Sequence, residues 1–237
     1  MEYINIITHI ILIMSLGWYL ITNLQWYNYK LERVILKHHK WQWHITYFLS
    51  PIVLFYIIPE PYYAAYFFII YMTSFILWNK KLDRAVVLTS RVKRFLAILL
   101  FTTFAMTALC LSSPSCTNMV IFTPLILTYG ISTLLEKIFF ISFKNKGKQR
   151  IKSIAGLRTI AITASYGKTS IKNYLYHVLK NKYKTYKTPR SVNTIAGIVL
   201  DVNRDIPLDT QIYIAEAGAR VKGDIEEITM FLEPDIC

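Results

Sequence analysis

Cysteine is scarce in this sequence: its 237 residues hold three, Cys110, Cys116 and Cys237. They share no metal-ligand spacing and Cys110 lies inside an apolar stretch, so neither a zinc site nor a disulfide framework is expected. The marks of a removable leader are also missing, because no basic run precedes the first apolar stretch and no small-residue cleavage site follows it. Ionisable residues are few within the apolar stretches. No pair of carboxylates and no row of arginines there suggests an ion pathway or a voltage sensor. His9, His38, His39, His44 and His177 form no ligand constellation and are expected at interfaces or on the surface.

What is plentiful is apolar. Hydrophobic residues make up 54% of the chain, aromatic residues 15%, and the mean hydropathy is +0.36. That is too apolar for an ordinary soluble domain. The formal net charge of +13 would suit nucleic acid if it gathered on one face or arm. Here the basic residues flank apolar runs instead, so a membrane is the expected partner and nucleic acid is not.

About five stretches approach the roughly 20 helical residues that cross a hydrocarbon core: Tyr3 to Leu24, His44 to Ile58, Tyr62 to Trp78, Phe95 to Leu111, and Met119 to Phe143. The second and third are joined by Pro59-Glu60-Pro61, where proline ends one helix and biases its predecessor away from α geometry. Basic residues mark the cytoplasmic side. They follow the first span at Lys30, Arg33, Lys37 and Lys40, the third from Lys80 to Arg94, and the fifth from Lys144 to Lys152. The connections around Glu60 and from Ser112 to Asn118 have no Lys or Arg. This pattern predicts a multi-pass region over residues 1–143, with the amino terminus outside and everything after Phe143 cytoplasmic. Trp18, Trp26, Trp41, Trp43 and Trp78 suit either an interfacial belt or the filling of a helix bundle.

The rhythm changes after a basic, glycine-containing linker at 144–153. Thr159 to Ile162 reads as a strand, and Lys168 to Lys180 as a helix burying Ile171, Leu175, Val178 and Leu179. Further strands are expected at Tyr183 to Lys187, Ile212 to Ala215 and from Pro234, with helices at Ile195 to Asn203 and Asp224 to Leu232. Such alternation predicts a mainly parallel α/β sheet over 154–237. The sequence stops inside that sheet, and so reads as the front part of a longer protein.

Three segments carry chemistry. Thr163-Ala164-Ser165-Tyr166-Gly167-Lys168-Thr169-Ser170 lies between a strand and a helix, where backbone amides and the helix dipole surround phosphate oxygens. Lys168 reaches the terminal phosphates there, and the Thr169 hydroxyl suits Mg²⁺. Gly167 lets the backbone approach the ligand, although the general phosphate-loop pattern would also place glycine at Ile162. Alone, the segment also reads as the basic start of a helix. Thr188 to Gly197 sets small polar residues ahead of an apolar helix, and Ala215-Glu216-Ala217-Gly218-Ala219-Arg220 puts a carboxylate just past a strand. In an open α/β sheet these ends line the ligand crevice, and a hard oxygen there suits Mg²⁺. By itself, Glu216 also reads as a solvated carboxylate.

In this order, A-I-T-A-S-Y-G-K-T-S, T-P-R-S-V-N-T-I-A-G and I-A-E-A-G-A-R, followed by G-D-I-E-E-I and P-D-I, resemble the central ATPase domain of the Mur ligases. Within the family they are most similar to the branch that adds D-alanyl-D-alanine to UDP-N-acetylmuramoyl-tripeptide. The resemblance runs from about Ile154 to Cys237. It implies a P-loop fold, an ATP site of Ser165, Tyr166, Gly167, Lys168, Thr169 and Ser170 with Lys168 catalytic, and Mg²⁺ on Thr169 and Glu216. It also implies Asn193 and Thr194 near the γ-phosphate and substrate, and amide formation through an acyl phosphate in peptidoglycan precursor synthesis at the bacterial inner membrane. Ala164, Tyr166 and Ala217 depart from the family's common glycine, asparagine and methionine. The family's later residues and its UDP-sugar domain are absent, with the spans in the latter's place. A lipid-linked acceptor, or a non-catalytic scaffold with a degenerate site, are the alternatives, and the 237-residue chain alone is expected to be inactive.

Overall fold

The computed structural model describes residues 2–112, 121–219 and 221–237. The chain divides into two compact units, Met1–Glu136 and Lys137–Cys237. Most of the connection expected to face outward, including Cys116, and Arg220 of the third motif lie outside the described residues.

The first unit is helical. Helix α1 covers Glu2–Trp26 and α2 Leu31–Leu36. A broken helix follows as α3 (Gln42–His44), a π turn (Ile45–Leu49) and α4 (Ser50–Ile57). Next come α5 (Glu60–Tyr66), a second π turn (Phe67–Tyr71) and α6 (Met72–Lys80), then α7 (Ser90–Leu111) and α8 (Phe122–Ser153). The Pro59–Pro61 turn falls between α4 and α5 as expected. Among the described residues four helices are long and apolar enough to cross a membrane: Tyr3–Trp26, Pro61–Lys80, Ser90–Leu111 and Phe122–Ser153. The second expected stretch, His44 to Ile58, falls in the broken helix that runs from Gln42 to Ile57, which rises only about 24 Å at 1.5 Å per residue, short of a hydrocarbon core of about 30 Å.

Aromatic residues fill this unit's core. Tyr19, Phe67, Tyr71, Phe75 and Trp78 are all buried, and Tyr19 packs on Trp78 at 5.2 Å between ring centroids. Gly17 faces Leu99 of α7, where any added carbon would collide with that side chain. His38 is buried, not superficial, because its ring is held by Asn23 at 2.7 Å and packs beside His44. Cys110 stands at the end of α7 and is disulfide-bonded, with its partner outside the described residues. That corrects the expectation drawn from its apolar neighbours, since the helix ends one residue later and leaves the thiol at a terminus.

The second unit begins with the rest of α8. The basic stretch expected as a linker is instead helix through Ser153. It stays helical because it is packed and paired: Gly147 fits against Asn203 and Phe231, Lys144 and Lys148 bind Glu227 and Glu233 at 2.9 and 2.6 Å, and Arg150 donates to the Ile206 carbonyl. The α/β part follows as β1 (Arg158–Ile162), α9 (Lys168–Leu179), β2 (Thr185–Lys187), α10 (Ile195–Arg204), β3 (Ile212–Glu216) and α11 (Asp224–Leu232). All strand pairs are parallel, in the order β1-β3-β2. Ile236 adds a parallel bridge to Ile160 on the other edge of β1, where a further strand was expected.

One expectation fails on α9. Ile171 and Val178 are 50% and 70% exposed, while Lys172 is buried. Leu175 and Leu179 are half-buried, so the stripe is only half covered, and the fully buried position on this helix carries an ammonium.

Candidate phosphate- and cation-binding crevice

The parallel sheet brings the three motifs to one edge. The last residue of β1, Ile162, lies in register with the last residue of β3, Glu216, and β2 delivers Thr188 on the other side of β3. Loops leaving the carboxyl ends of parallel strands open on a common crevice.

The first loop runs from Thr163 to Gly167 and is exposed. Gly167 ends it at φ 75° as the residue that starts α9. Only glycine takes that conformation without strain, and nothing lies within 4 Å of where a Cβ would stand. The 12-residue helix α9 opens at this exposed loop, and a helix start is where an anion is received. Lys168 is turned back on its own loop and donates to the Ala164 carbonyl at 2.5 Å. Ala164 is not among the residues with positive φ, so alanine suits the position the family usually gives to glycine. Ser165, Tyr166 and Ser170 are exposed around the loop.

Behind it lies a buried polar knot. Glu216 accepts from the Thr169 hydroxyl at 2.9 Å and from Lys172 Nζ at 3.1 Å, both on Oε2. Its Oε1 has the Asn193 amide at 3.5 Å, and its backbone N–H donates to the Thr188 hydroxyl. The Lys172 and Glu216 side chains are 1% and 3% exposed. An ion pair that deep persists when other donors and acceptors are also matched, and here Lys172 donates as well to the Arg190 carbonyl.

The second motif is drawn in by these contacts. Arg190 adopts positive φ, which turns its carbonyl toward Lys172. Gly218 N–H donates to the Asn193 carbonyl at 2.9 Å, and a Cβ on Gly218 would stand 2.9 to 3.1 Å from Asn193 atoms. Thr194 serves differently: its hydroxyl caps α10 by accepting from Gly197 N–H. Below, Asp201 accepts from the hydroxyls of Tyr186 at 2.8 Å and Tyr213 at 2.7 Å, tying α10 to β2 and β3.

Thr169, Asn193 and Glu216 thus converge, with Lys168 and the open loop beside them. Lys172 went unnoticed in the sequence. It lies four residues after Lys168, on the same face of α9. The donor set, one hydroxyl and one carboxylate, suits Mg²⁺, which binds through one or two carboxylates together with phosphate oxygens. Among the described residues there is no group of three or more His, Cys, Asp or Glu able to enclose a metal.

No protein-family model matches the chain. The UDP-N-acetylmuramoyl-tripeptide–D-alanyl-D-alanine ligase of Borreliella burgdorferi is 37% identical over 79 residues, 33% of this chain and 17% of the ligase. That of Bacillus subtilis is 35% identical over 80 residues, 34% of this chain and 17% of the ligase. Among solved structures, MurF from Thermotoga maritima in complex with ADP is 31% identical, covering 40% of this chain and 22% of that one at a TM-score of 0.37. MurF from Acinetobacter baumannii is 26% identical, covering 40% and 20% at a TM-score of 0.38. The chain spans 17% of the length of the curated relatives it matches. About a third of it is similar to MurF-type Mur ligases, as its motifs implied.

Proposed function

We propose that the crevice is the ATP site of a MurF-like amide ligase of peptidoglycan precursor synthesis, carried on membrane-spanning helices. The observation that carries this reading is the contact between Thr169, first in line after the phosphate-loop lysine, and Glu216, which arrives from a different strand. Phosphate-loop chemistry asks for that hydroxyl and carboxylate side by side.

On this reading Lys168 leaves the Ala164 carbonyl for the β and γ phosphates, while the loop amides and the start of α9 surround their oxygens. Thr169 and Glu216 hold Mg²⁺, which when bound offsets charge on the phosphoryl oxygens. Asn193 lines the crevice next to them. The carboxylate of UDP-MurNAc-tripeptide attacks the γ-phosphorus, ADP leaves, and an acyl phosphate forms. The amine of D-alanyl-D-alanine then displaces phosphate to close the amide. Preorganised positive charge is the main source of acceleration in such transfers.

On this reading the site lies on the cytoplasmic side of the bacterial inner membrane, with the amino terminus outside. Two features support that orientation. Basic residues cluster after α1, α6 and the apolar part of α8, and Cys110, at the opposite end of α7, is disulfide-bonded, as an oxidising compartment favours. An impermeant thiol reagent applied from outside should spare a cysteine introduced at Lys37 and modify one at Ser115, and the reverse pattern would invert the topology.

A lipid-linked acceptor is the second reading. It is favoured by an apolar groove of about 540 Å³ in the helical unit, lined by Leu20, Leu31, Val34, Ile35, Leu125 and Ile126 among others. Competition between soluble and lipid-linked precursors separates the two.

The purified chain in detergent should bind a fluorescent ATP analogue with Mg²⁺, and Lys168→Ala should weaken that binding by on the order of 10²-fold. Equal binding by both proteins would leave a membrane scaffold with a degenerate site. Joining of D-alanyl-D-alanine to UDP-MurNAc-tripeptide is expected to stay at the level of the Lys168→Ala control, because the chain matches so little of the relatives' length.

A further inference from the structure

The two lysines of the α9 loop-facing side are placed for different work. Lys168 is half-exposed and holds a loop carbonyl. Lys172, one turn later, is buried and holds the crevice carboxylate. We infer that Lys172 is a resident counter-ion and positioning residue for Glu216, so that the crevice takes up a divalent cation only together with nucleotide phosphates. The inference rests on the reading of the crevice as a nucleotide site.

Charge is the first reason. Glu216 is the carboxylate in contact with Thr169, and Lys172 Nζ at 3.1 Å offsets its charge. A divalent cation that must shed tightly held water to bind therefore meets a site with no net charge to draw it in. The phosphates of ATP bring the missing negative charge.

Geometry is the second. Oε2 of Glu216 already receives both the Thr169 hydroxyl and the Lys172 ammonium, which leaves Oε1, with Asn193 at 3.5 Å, as the more open oxygen. Lys172 also holds the Arg190 carbonyl, so one ammonium fixes both the carboxylate and the loop that carries Asn193. Two of its three donors are thereby spent inside the protein, and neither is aimed at phosphate.

Mn²⁺, followed by the electron paramagnetic resonance of the free ion, tests this on the 237-residue chain in detergent. Without nucleotide, the wild type should take up essentially none at 100 µM, about the range expected of a neutral site. Lys172→Gln should bind Mn²⁺ at least about tenfold more tightly, because it leaves the carboxylate uncompensated. Lys172→Arg, which keeps the charge, should behave as the wild type, and Lys172→Gln combined with Glu216→Gln should lose the gain. A purely structural role for Lys172 would raise Mn²⁺ affinity in none of these proteins. Adding ATP should restore Mn²⁺ uptake in the wild type. Tight Mn²⁺ binding by the nucleotide-free wild type overturns the inference, as does an unchanged Lys172→Gln; if Lys172→Gln fails to fold, the wild-type result decides alone. Binding of the fluorescent ATP analogue is recorded in parallel. Its absence from the wild type counts against the nucleotide site itself, whereas its presence with Mn²⁺ behaving otherwise counts against Lys172 only.

Discussion

The two units spend their polar groups in opposite ways. In the helical unit several serine and threonine hydroxyls fold back onto their own helix: Thr8 donates to the Ile4 carbonyl, Ser15 to Leu12, Thr22 to Trp18 and Thr103 to Leu99. Such bonds silence a polar group where no water replaces them. In the α/β unit Thr169 and Lys172 from α9, Thr188 and Asn193 from the segment after β2, and Glu216 from β3 satisfy one another. Local satisfaction makes a scaffold; convergent satisfaction makes a site that a ligand can rearrange.

Ion pairs offer the sharpest way to break this contrast. Glu216→Ala strands the buried Lys172 ammonium and should destabilise the α/β unit by about 3–5 kcal/mol. Glu136→Ala removes the carboxylate that binds Arg94, whose side chain is 39% exposed, and should cost no more than about 1 kcal/mol. Urea unfolding followed by hydrogen exchange, resolved by peptide, reads each unit separately. Equal losses would mean that burial does not distinguish the pairs.

Two glycines come next in size. Gly218→Ala pushes on Asn193, including its backbone carbonyl, and should weaken nucleotide binding roughly tenfold through an overpacking strain of about 1–3 kcal/mol. Gly17→Ala pushes on Leu99 of α7 and should lower the melting temperature of the helical unit while leaving nucleotide affinity unchanged. If both variants bound nucleotide equally well, Asn193 would have no part in the crevice.

The smallest effect is one of pH, with opposite sign in the two units. Burial, with help from His44 and His39, lowers the His38 pKa from 6.5 to about 4. The folded state thus disfavours its charged form, and the stability this histidine contributes is present above pH 6.5 and lost as pH falls toward 4. Burial raises the Asp201 carboxyl above its ordinary value, against the pull of the two tyrosine hydroxyls. Its contribution is full below the unfolded-state pKa and lost as pH rises through the raised one. Exchange measured between pH 7 and 4, corrected for the chemical rate, should show protection falling around His38 on acidification. Asp201→Asn should flatten the opposing trend around α10, and trends of the same sign in both units would refute the pair of assignments.

The order of elements in the α/β unit was legible because each boundary has a local chemical cause. Gly167 starts α9, Thr194 caps α10, and the strands are short apolar runs. The motif residues that meet were legible for the same reason, since each follows a strand. What escaped was set by partners distant in sequence. Lys172 reads as an ordinary surface cation until Glu216, 44 residues on, arrives to bury it. Lys144 to Lys152 reads as a linker because its ion partners on and just after α11 are invisible to local composition. Ile171 and Val178 show the converse: periodicity reports that a helix is two-faced but not which face is covered.

The strand order also sets a timetable for synthesis. β2 leaves the ribosome before β3, yet among the described strands it pairs with β3, and β1 waits for the same neighbour. At about 5–20 residues per second, some seconds separate the end of β2 from the end of β3. During that interval the nascent chain holds two unpaired strands and an exposed apolar helix stripe. The preceding helices have no such dependence, because their hydrogen bonds close within each helix. The helical unit can therefore be formed while the sheet is still waiting for its middle strand, and that delay is the window in which a chaperone or protease has most to hold.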